Sequence, residues 1–346
     1  MFQSLKFRRI LVCLALLLTG VMGWFLHDVP WSMMHGDAGA EAIHSTNGIP
    51  DGRNPLSSNI TALPSVNPTI LRYQTAARAN LLQLTTGLRP GRGAPIPSAE
   101  DEHDLPVSDV SFYNWRGELL SGWLALAKPG APVIIVAHGT PGNRMSVLSR
   151  SVALYKHGYN VLLFDFQSYG NSGGQFSTLG MVESEDILSA INYLHGLSGT
   201  MYSKIGVLGV SMGATAAVLA AARSNDIDAL VAESCPVDAT AVTADVPDSA
   251  SRLADEELIE AIYGVDVTQA RPIDVIQKLA GHTALFLING DNDTTTPLAG
   301  MQQLYNAAGQ PKQSWIVPTA GHAASFDVDT SGYIQHVDDF FDAHLL

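Results

Sequence analysis

Residues 206–214 constrain the fold of this chain more than any other stretch. An apolar run enters the stretch and an alanine-rich run leaves it, a pattern that predicts a buried strand, a sharp turn and a helix. At the turn, Gly209 and Gly213 flank Ser211 in the spacing G-x-S-x-G. Side chains at the two glycine positions would collide with neighbouring backbone, so the spacing favours a strained turn that presents a serine hydroxyl at the end of a strand. An ordinary strand-to-helix loop is the alternative.

Composition limits the partners of the chain. Its 346 residues carry a net charge of -14, and no basic stripe is available to neutralise phosphates, so we expect no nucleic-acid partner. The two cysteines, Cys13 and Cys235, form no zinc-ligand spacing, and we expect no disulfide between them. We therefore predict neither a metal ion nor an organic cofactor.

The N-terminus has the layout of an export signal. Lys6, Arg8 and Arg9 precede an apolar run over residues 10–26, which predicts a signal peptide or an uncleaved signal anchor within residues 1–34. Basic residues precede the apolar run, and the rest of the chain, which we call the body, is acidic. This asymmetry favours a body that lies outside the cytoplasm. We expect the chain to be held by this segment at the outer, periplasmic side of the cytoplasmic membrane, or to be secreted if the segment is cleaved.

Residues 35–105 read as a spacer between this segment and the folded domain. Asn, Ser, Pro, Gly and Thr dominate, and apolar periodicity nearly disappears. Residues 70–84 contain few helix-breaking residues, so a short helix there is an alternative to an irregular chain.

A folded domain is predicted from residue 106 to residue 346. It opens with two extended segments, 107–113 and 119–127, whose spacing favours a hairpin. Strand and helix patterns then alternate, which predicts an α/β fold with a mostly parallel central sheet and helices on both faces. We predict strands at residues 133–137, 161–166, 205–210, 229–232, 283–288 and 314–317, and helices at 145–157, 181–197, 214–223, 298–308 and 333–345.

The alternation breaks at residues 236–281. This segment has no convincing strand and contains two helix-like pieces, at 251–263 and 272–279. In open α/β sheets, ligands collect at the carboxyl ends of the strands. We therefore predict a small cap inserted over the strand ends.

The acid and base that a serine nucleophile needs are present downstream. A serine hydroxyl is a poor nucleophile near neutral pH, so a histidine must take its proton and a carboxylate must orient that histidine. After Ser211, the loop that follows strand 283–288 offers Asp291 and Asp293, and the loop after the next strand offers His322. Serine, acid and histidine in this chain order are typical of α/β-hydrolases.

From residue 107 to the C-terminus the chain resembles an α/β-hydrolase of the serine-aminopeptidase-like and prolyl-oligopeptidase-like subgroup, bacterial hydrolases with an N-terminal membrane segment. Beside G-x-S-x-G, the resemblance rests on an oxyanion-loop motif at 138–143, a D-x-x-G-x-G-x-S segment at 165–173 and an acid loop at 290–297. Two departures are Thr140-Pro141 in place of Asn-Ala and Ser168 in place of glycine, so we expect the acyl-side pocket to differ in shape.

The resemblance implies roles for individual residues. It assigns the backbone N–H groups of Met212 and Thr140 to an oxyanion hole. It also favours Asp293 as the acid, because Asp293 stands four residues before Pro297, as the acid of the family does. Asp291 is then expected to shape the turn by accepting backbone N–H groups two residues on.

Three other polar residues near strand ends could have a structural or catalytic role. We expect His138 to be structural and the loop of Asp165 to brace the sheet. Glu233, at the end of the strand after the serine turn, is a reserve acid.

These features predict a serine hydrolase of the carboxylesterase type, which cleaves esters or thioesters through an acyl-serine intermediate with Ser211, Asp293 and His322 as its triad. A serine peptidase or aminopeptidase is an alternative, since fold analogy does not fix a substrate. A non-catalytic envelope protein that uses the fold for binding is another. The sequence leaves the acyl chain length and the oligomeric state open.

Overall fold

The computed structural model describes residues 96, 104–174, 177–197, 202–239 and 264–346. The export segment, nearly all of the spacer and residues 240–263 of the predicted cap lie outside the described residues, so those predictions stay predictions. No helix in the described part of the chain is both long and apolar enough to cross a bilayer.

Eight strands form one sheet. They are β1 (Val107–Tyr113), β2 (Leu119–Ala125), β3 (Val133–Ala137), β4 (Asn160–Phe164), β5 (Ile205–Val210), β6 (Ala229–Glu233), β7 (Ala284–Gly290) and β8 (Lys312–Val317). Their order in the sheet is β1-β2-β4-β3-β5-β6-β7-β8. The β1–β2 and β2–β4 pairs are antiparallel, and the pairs from β4 to β8 are parallel. The predicted α/β-hydrolase fold, with its mostly parallel sheet and leading hairpin, is confirmed.

Seven α-helices are seen within the described ranges. They are α1 (Leu148–His157), α2 (Glu183–Gly196), α3 (Met212–Ala221), α4 (Pro272–Val275), α5 (Leu298–Ala307), α6 (Ser325–Val328) and α7 (Thr330–Leu345). Short 3-10 helices lie at Arg144–Val147, Val267–Gln269 and Ile276–Leu279.

The sheet separates two apolar cores. On one face, Ile191 of α2, Ala217 of α3 and Leu304 of α5 pack in a single buried cluster. On the other face, Leu154 of α1 and Phe341 of α7 belong to a second cluster. Every residue of β3 and β5 is buried, because helices cover both faces, and full burial of one large apolar side chain contributes about 1.5–3 kcal/mol. The strand ends between the cores are thereby fixed in place.

Two boundaries of secondary-structure elements differ from the prediction because of local hydrogen bonds. β4 ends at Phe164, two residues before the predicted end, because the next residue, Asp165, turns its carboxylate to Arg144. Helix α3 begins at Met212, two residues before the predicted start. The carbonyl oxygen of Ser211 accepts the amides of Ala214 and Thr215 at 2.9 and 3.1 Å, which starts the helix directly at the turn.

One part of the predicted cap, residues 272–279, packs in the core. Residues 272–279 form α4 and a 3-10 helix, and their Ile276 and Leu279 lie in the same buried cluster as α3 and α5. This piece is therefore core, on the crossover from β6 to β7. The cap predicted for the rest of residues 236–281 stays a prediction.

Candidate active site

Ser211 sits in a strained turn between β5 and α3. Its φ of 54° and ψ of -117° are rare for a residue with a side chain. A Cβ on Gly209 would lie 2.5 Å from the carbonyl oxygen of Gly213, and a Cβ on Gly213 would lie 2.3 Å from that of Ala137. Both glycines are thus required by close backbone contacts. The Ser211 amide donates to Glu233 O at 2.9 Å, which anchors the turn to β6.

The structure brings Ser211, His322 and Asp293 together. Nε2 of His322 lies 2.9 Å from Oγ of Ser211. On the other side of the ring, Nδ1 lies 3.0 and 3.2 Å from the carboxylate oxygens of Asp293. Because a carboxylate only accepts, the network assigns the proton to Nδ1 and leaves the Nε2 lone pair facing the serine hydroxyl. The imidazole is thus placed to take the proton of Ser211.

Exposure increases from the acid to the base. The Asp293 side chain is fully buried, whereas that of His322 is 26% exposed. Burial on its own would raise the pKa of Asp293, but hydrogen bonds from His322 and from Thr296 outweigh it and lower the pKa to about 2. Asp293 therefore stays a carboxylate at any ordinary pH.

Thr296 is a member of this cluster that the sequence reasoning missed. Its backbone N–H donates to Oδ1 of Asp293 at 2.7 Å, and its hydroxyl donates to Oδ2 at 2.7 Å. The Thr295 N–H also donates to Oδ1, at 2.9 Å. Aspartate commonly accepts amides two and three residues on, so this turn chemistry in the run of three threonines was a usable signal.

Asp291 does not have its expected role in the turn. Its Oδ1 accepts the backbone N–H of Thr319, 28 residues further on, at 2.6 Å. It is Asp293 whose side chain shapes the acid turn. Asp291 instead joins the acid loop to the loop that carries His322.

Glu233 has no contact with His322 that would suit a reserve acid. It forms a buried ion pair with Arg150, Nε to Oε2 at 2.9 Å, and accepts the amide of Ser325 at 3.2 Å. Arg150 also donates to the carbonyl oxygen of Ala323 at 2.9 Å. The pair therefore braces the chain that directly follows His322.

Met212 and Thr140, the expected oxyanion donors, lie at the turn and in the loop after β3. Among the described residues neither backbone N–H has a hydrogen-bond acceptor, and Met212 is the first residue of α3. The buried hydroxyl of Tyr169 donates to Thr140 Oγ1 at 2.9 Å and lies 3.3 Å from Sδ of Met212. A Cβ on Gly139 would lie 3.1 Å from Cβ of Ser211. The loop is therefore next to the serine, and Tyr169 ties its Thr140 to the start of α3.

The remaining polar residues of the strand ends are structural, as expected. Asp165 pairs with Arg144, both fully or nearly fully buried, and ties the end of β4 to the loop after β3. His138 donates from Nδ1 to Gly139 O and accepts the Phe166 amide at Nε2. Burial lowers the pKa of His138 to about 4, so the ring is neutral. Within the described ranges, no group of three or more His, Cys, Asp or Glu side chains could hold a metal ion.

Comparisons with known proteins agree with the fold. The mostly parallel sheet and the serine at the β5–α3 turn define an α/β-hydrolase. A sequence model of the prolyl oligopeptidase family matches residues 145–346, which include Ser211, Asp293 and His322. The chain therefore belongs to the prolyl oligopeptidase family.

Individual relatives are similar over the same part of the chain. The uncharacterized protein Rv2307c of Mycobacterium tuberculosis is 30% identical over 236 residues, 66% of this chain and 76% of that protein. Thiohydrolase aneE of Aspergillus aculeatus is 30% identical over 161 residues, 45% of this chain and 50% of that one. The solved structure of the Pyrococcus furiosus esterase Pf2001 has a TM-score of 0.61 at 24% identity and covers 74% of this chain and 100% of its own. This last likeness shows the fold.

The contacts at the serine turn generate a stability prediction. Gly209→Ala places a methyl group against the backbone of Gly213, which cannot move without shifting α3. We expect a loss of about 1–3 kcal/mol in the free energy of unfolding, measured by urea denaturation. The matched control is Gly196→Ala in α2, where an added Cβ meets nothing within 4 Å. That control should be neutral or slightly stabilising, and equal losses in the two variants would contradict the analysis.

Proposed function

We propose that the chain is a serine hydrolase that cleaves carboxylic esters or thioesters through an acyl-serine intermediate. The observation that carries this proposal is the 2.9 Å contact between Nε2 of His322 and Oγ of Ser211, with Asp293 behind the ring. Nε2 takes the hydroxyl proton while Oγ attacks the carbonyl carbon, and the imidazolium then gives that proton to the departing alcohol or thiol. Water then gives a proton to the same nitrogen while its oxygen attacks the acyl carbon. The bond from that carbon to Oγ breaks, the imidazolium returns the proton to Oγ, and the carboxylic acid leaves.

The oxyanion that forms in both steps needs fixed donors. The N–H groups of Met212 and Thr140, which have no acceptor among the described residues, are the candidates, because one begins a helix next to the nucleophile and the other lies in the loop beside it. Tyr169 supports this role by holding the Thr140 side chain.

Esters and thioesters are favoured over peptides by the proteins to which this chain is similar. One of the solved structures is described as an esterase and one relative as a thiohydrolase. A serine peptidase is the second candidate, since the family takes its name from a peptidase. A panel of esters of graded chain length, thioesters and aminoacyl amides separates the two.

The substrate pocket and the location of the enzyme are further parts of the proposal. The predicted cap, residues 236–281, would shape the acyl pocket. The basic and apolar N-terminus would hold the body on the outer side of the cytoplasmic membrane.

Ser211→Ala tests the nucleophile. The substitution removes the attacking oxygen and leaves the turn, so covalent labelling by a fluorophosphonate should disappear and ester turnover should fall by several orders of magnitude. Labelling is read by intact-protein mass spectrometry, with Ser325→Ala, a buried serine away from the turn, as control. Full labelling of the Ser211→Ala protein would end the proposal.

The two aspartates of the acid loop are separated by their amide variants. Asp293→Asn removes the charge that fixes the tautomer and stabilises the imidazolium, so we expect a loss on the order of 10⁴ in kcat with the fold intact. Asp291→Asn keeps an oxygen that can accept the Thr319 amide, so most activity should remain. Ester kinetics measure the activity of both variants, and circular dichroism checks that both are folded. An inactive Asp291→Asn beside an active Asp293→Asn would make Asp291 the acid.

The proposed location is tested by a topology reporter. Alkaline phosphatase fused after residue 60 should be active, because it requires export to fold. Activity of a cytoplasmic reporter at the same junction, with an inactive phosphatase, would refute the topology. Release of the body into the soluble fraction would indicate a cleaved signal peptide.

A further inference from the structure

Thr296 touches both the acid and the base of the site. Its side chain is buried, with 6% of the residue exposed. Oγ1 lies 2.7 Å from Oδ2 of Asp293 and 3.2 Å from Nδ1 of His322. The Asp293 carboxylate can only accept, so the single hydroxyl proton of Thr296 is donated to it.

The two oxygens of Asp293 are occupied differently. Oδ1 accepts the backbone amides of Thr295 and Thr296, at 2.9 and 2.7 Å, and has the longer contact with Nδ1 of His322, at 3.2 Å. Oδ2 is shared between the Thr296 hydroxyl at 2.7 Å and Nδ1 of His322 at 3.0 Å. A short hydrogen bond to a charged oxygen withdraws part of its charge from a second donor. The hydroxyl therefore competes with the imidazole for the same oxygen.

We propose that Thr296 is a positioning residue that limits the negative charge Asp293 presents to His322, and so sets the pH above which His322 can accept the Ser211 proton. This inference rests on the proposed function, because it affects hydrolysis only if His322 is the general base. The backbone amides fix the orientation of the carboxylate, and the hydroxyl of Thr296 sets its strength as an acceptor.

Other charged groups around the His322 loop stay in place when Thr296 changes. Asp291 accepts the backbone amide of Thr319, three residues before His322 in the sequence. After it, the buried Arg150–Glu233 pair contacts Ala323 O and the Ser325 amide, and the Tyr333 hydroxyl donates to Glu233. None of the hydrogen bonds described for these groups involves Thr296. An effect of its hydroxyl should therefore be confined to Asp293 and His322.

The experiment compares pH profiles of kcat/KM for a chromogenic short-chain ester. Thr296→Val keeps the shape of the side chain and removes the hydroxyl, so Asp293 should pair more strongly with the protonated imidazole. We expect the acid limb of the profile to move to higher pH by about half a unit to one unit, on the scale of one hydrogen bond to a charged group. KM should stay within twofold. Thr296→Ser, which keeps the hydroxyl, should retain the wild-type profile.

The matched control is Thr294→Val, two residues away in the same loop. Thr294 is exposed, and no hydrogen bond to it is seen among the described residues, so its profile should match the wild type. An unshifted acid limb in Thr296→Val would overturn the proposal. So would a uniform fall in kcat at every pH, which is the mark of a merely structural role.

A second readout needs no substrate. The Nδ1 proton of His322, assigned by its loss in His322→Gln, should move to lower field in the NMR spectrum of Thr296→Val, because the bond to Asp293 becomes stronger. An unchanged resonance would overturn the role of Thr296. If the resonance moves but the wild-type chain neither binds a fluorophosphonate nor cleaves any ester, the proposed function fails and the effect of Thr296 on the pair stands.

Discussion

The close approach of Gly213 to the end of β3 is the contact on which the rest of the site depends. A side chain there would overlap the carbonyl oxygen of Ala137, so only glycine lets the start of α3 lie against this strand. That contact holds Ser211 in its strained conformation and also brings the loop of Gly139 and Thr140 to the serine. One steric constraint therefore places Ser211 beside the candidate oxyanion donors, independently of any polar interaction.

Buried polar contacts then fasten the loops to one another. The pair of Arg144 and Asp165 joins the ends of β3 and β4, and that of Arg150 and Glu233 joins α1 to β6 and the histidine loop. Such pairs add little to stability relative to apolar side chains, because desolvation offsets much of the attraction. Losing one partner leaves an uncompensated charge in the core, however, so the pairs strongly disfavour other arrangements. In this protein the two pairs join segments that meet at the strand ends.

The fold could be predicted from the sequence where the signal was local. The unbroken apolar runs of β3 and β5 and the glycine spacing around Ser211 depend on neighbours in the chain, and the strands at 133–137 and 205–210 match the structure at both ends. The approach of Ser211, Asp293 and His322 followed from chain order. It was a less direct inference, because each residue lies at the end of a different strand.

What the sequence did not predict depends on contacts between distant segments. The bond from Thr319 to Asp291 and the position of Glu233 beside Arg150 join residues 28 and 83 positions apart, and no periodicity reports such pairs. Thr296 was missed because its neighbours in the run of threonines look identical in sequence. The burial of residues 272–279 was missed because a short helix in a crossover and a short helix in a cap have similar composition.

The position of β8 at the edge of the sheet affects when the site is complete. His322 follows β8 and lies 111 residues beyond Ser211, so its position beside the serine depends on the pairing of β8 with β7. Contacts between such distant residues form late, since closing long loops costs entropy first. In the proposed mechanism, a growing chain would therefore hold Ser211 without its base until the last strand has docked. The proposed reactivity of Ser211 would then be a property of the finished fold, and a covalent probe of that serine would count only completed molecules.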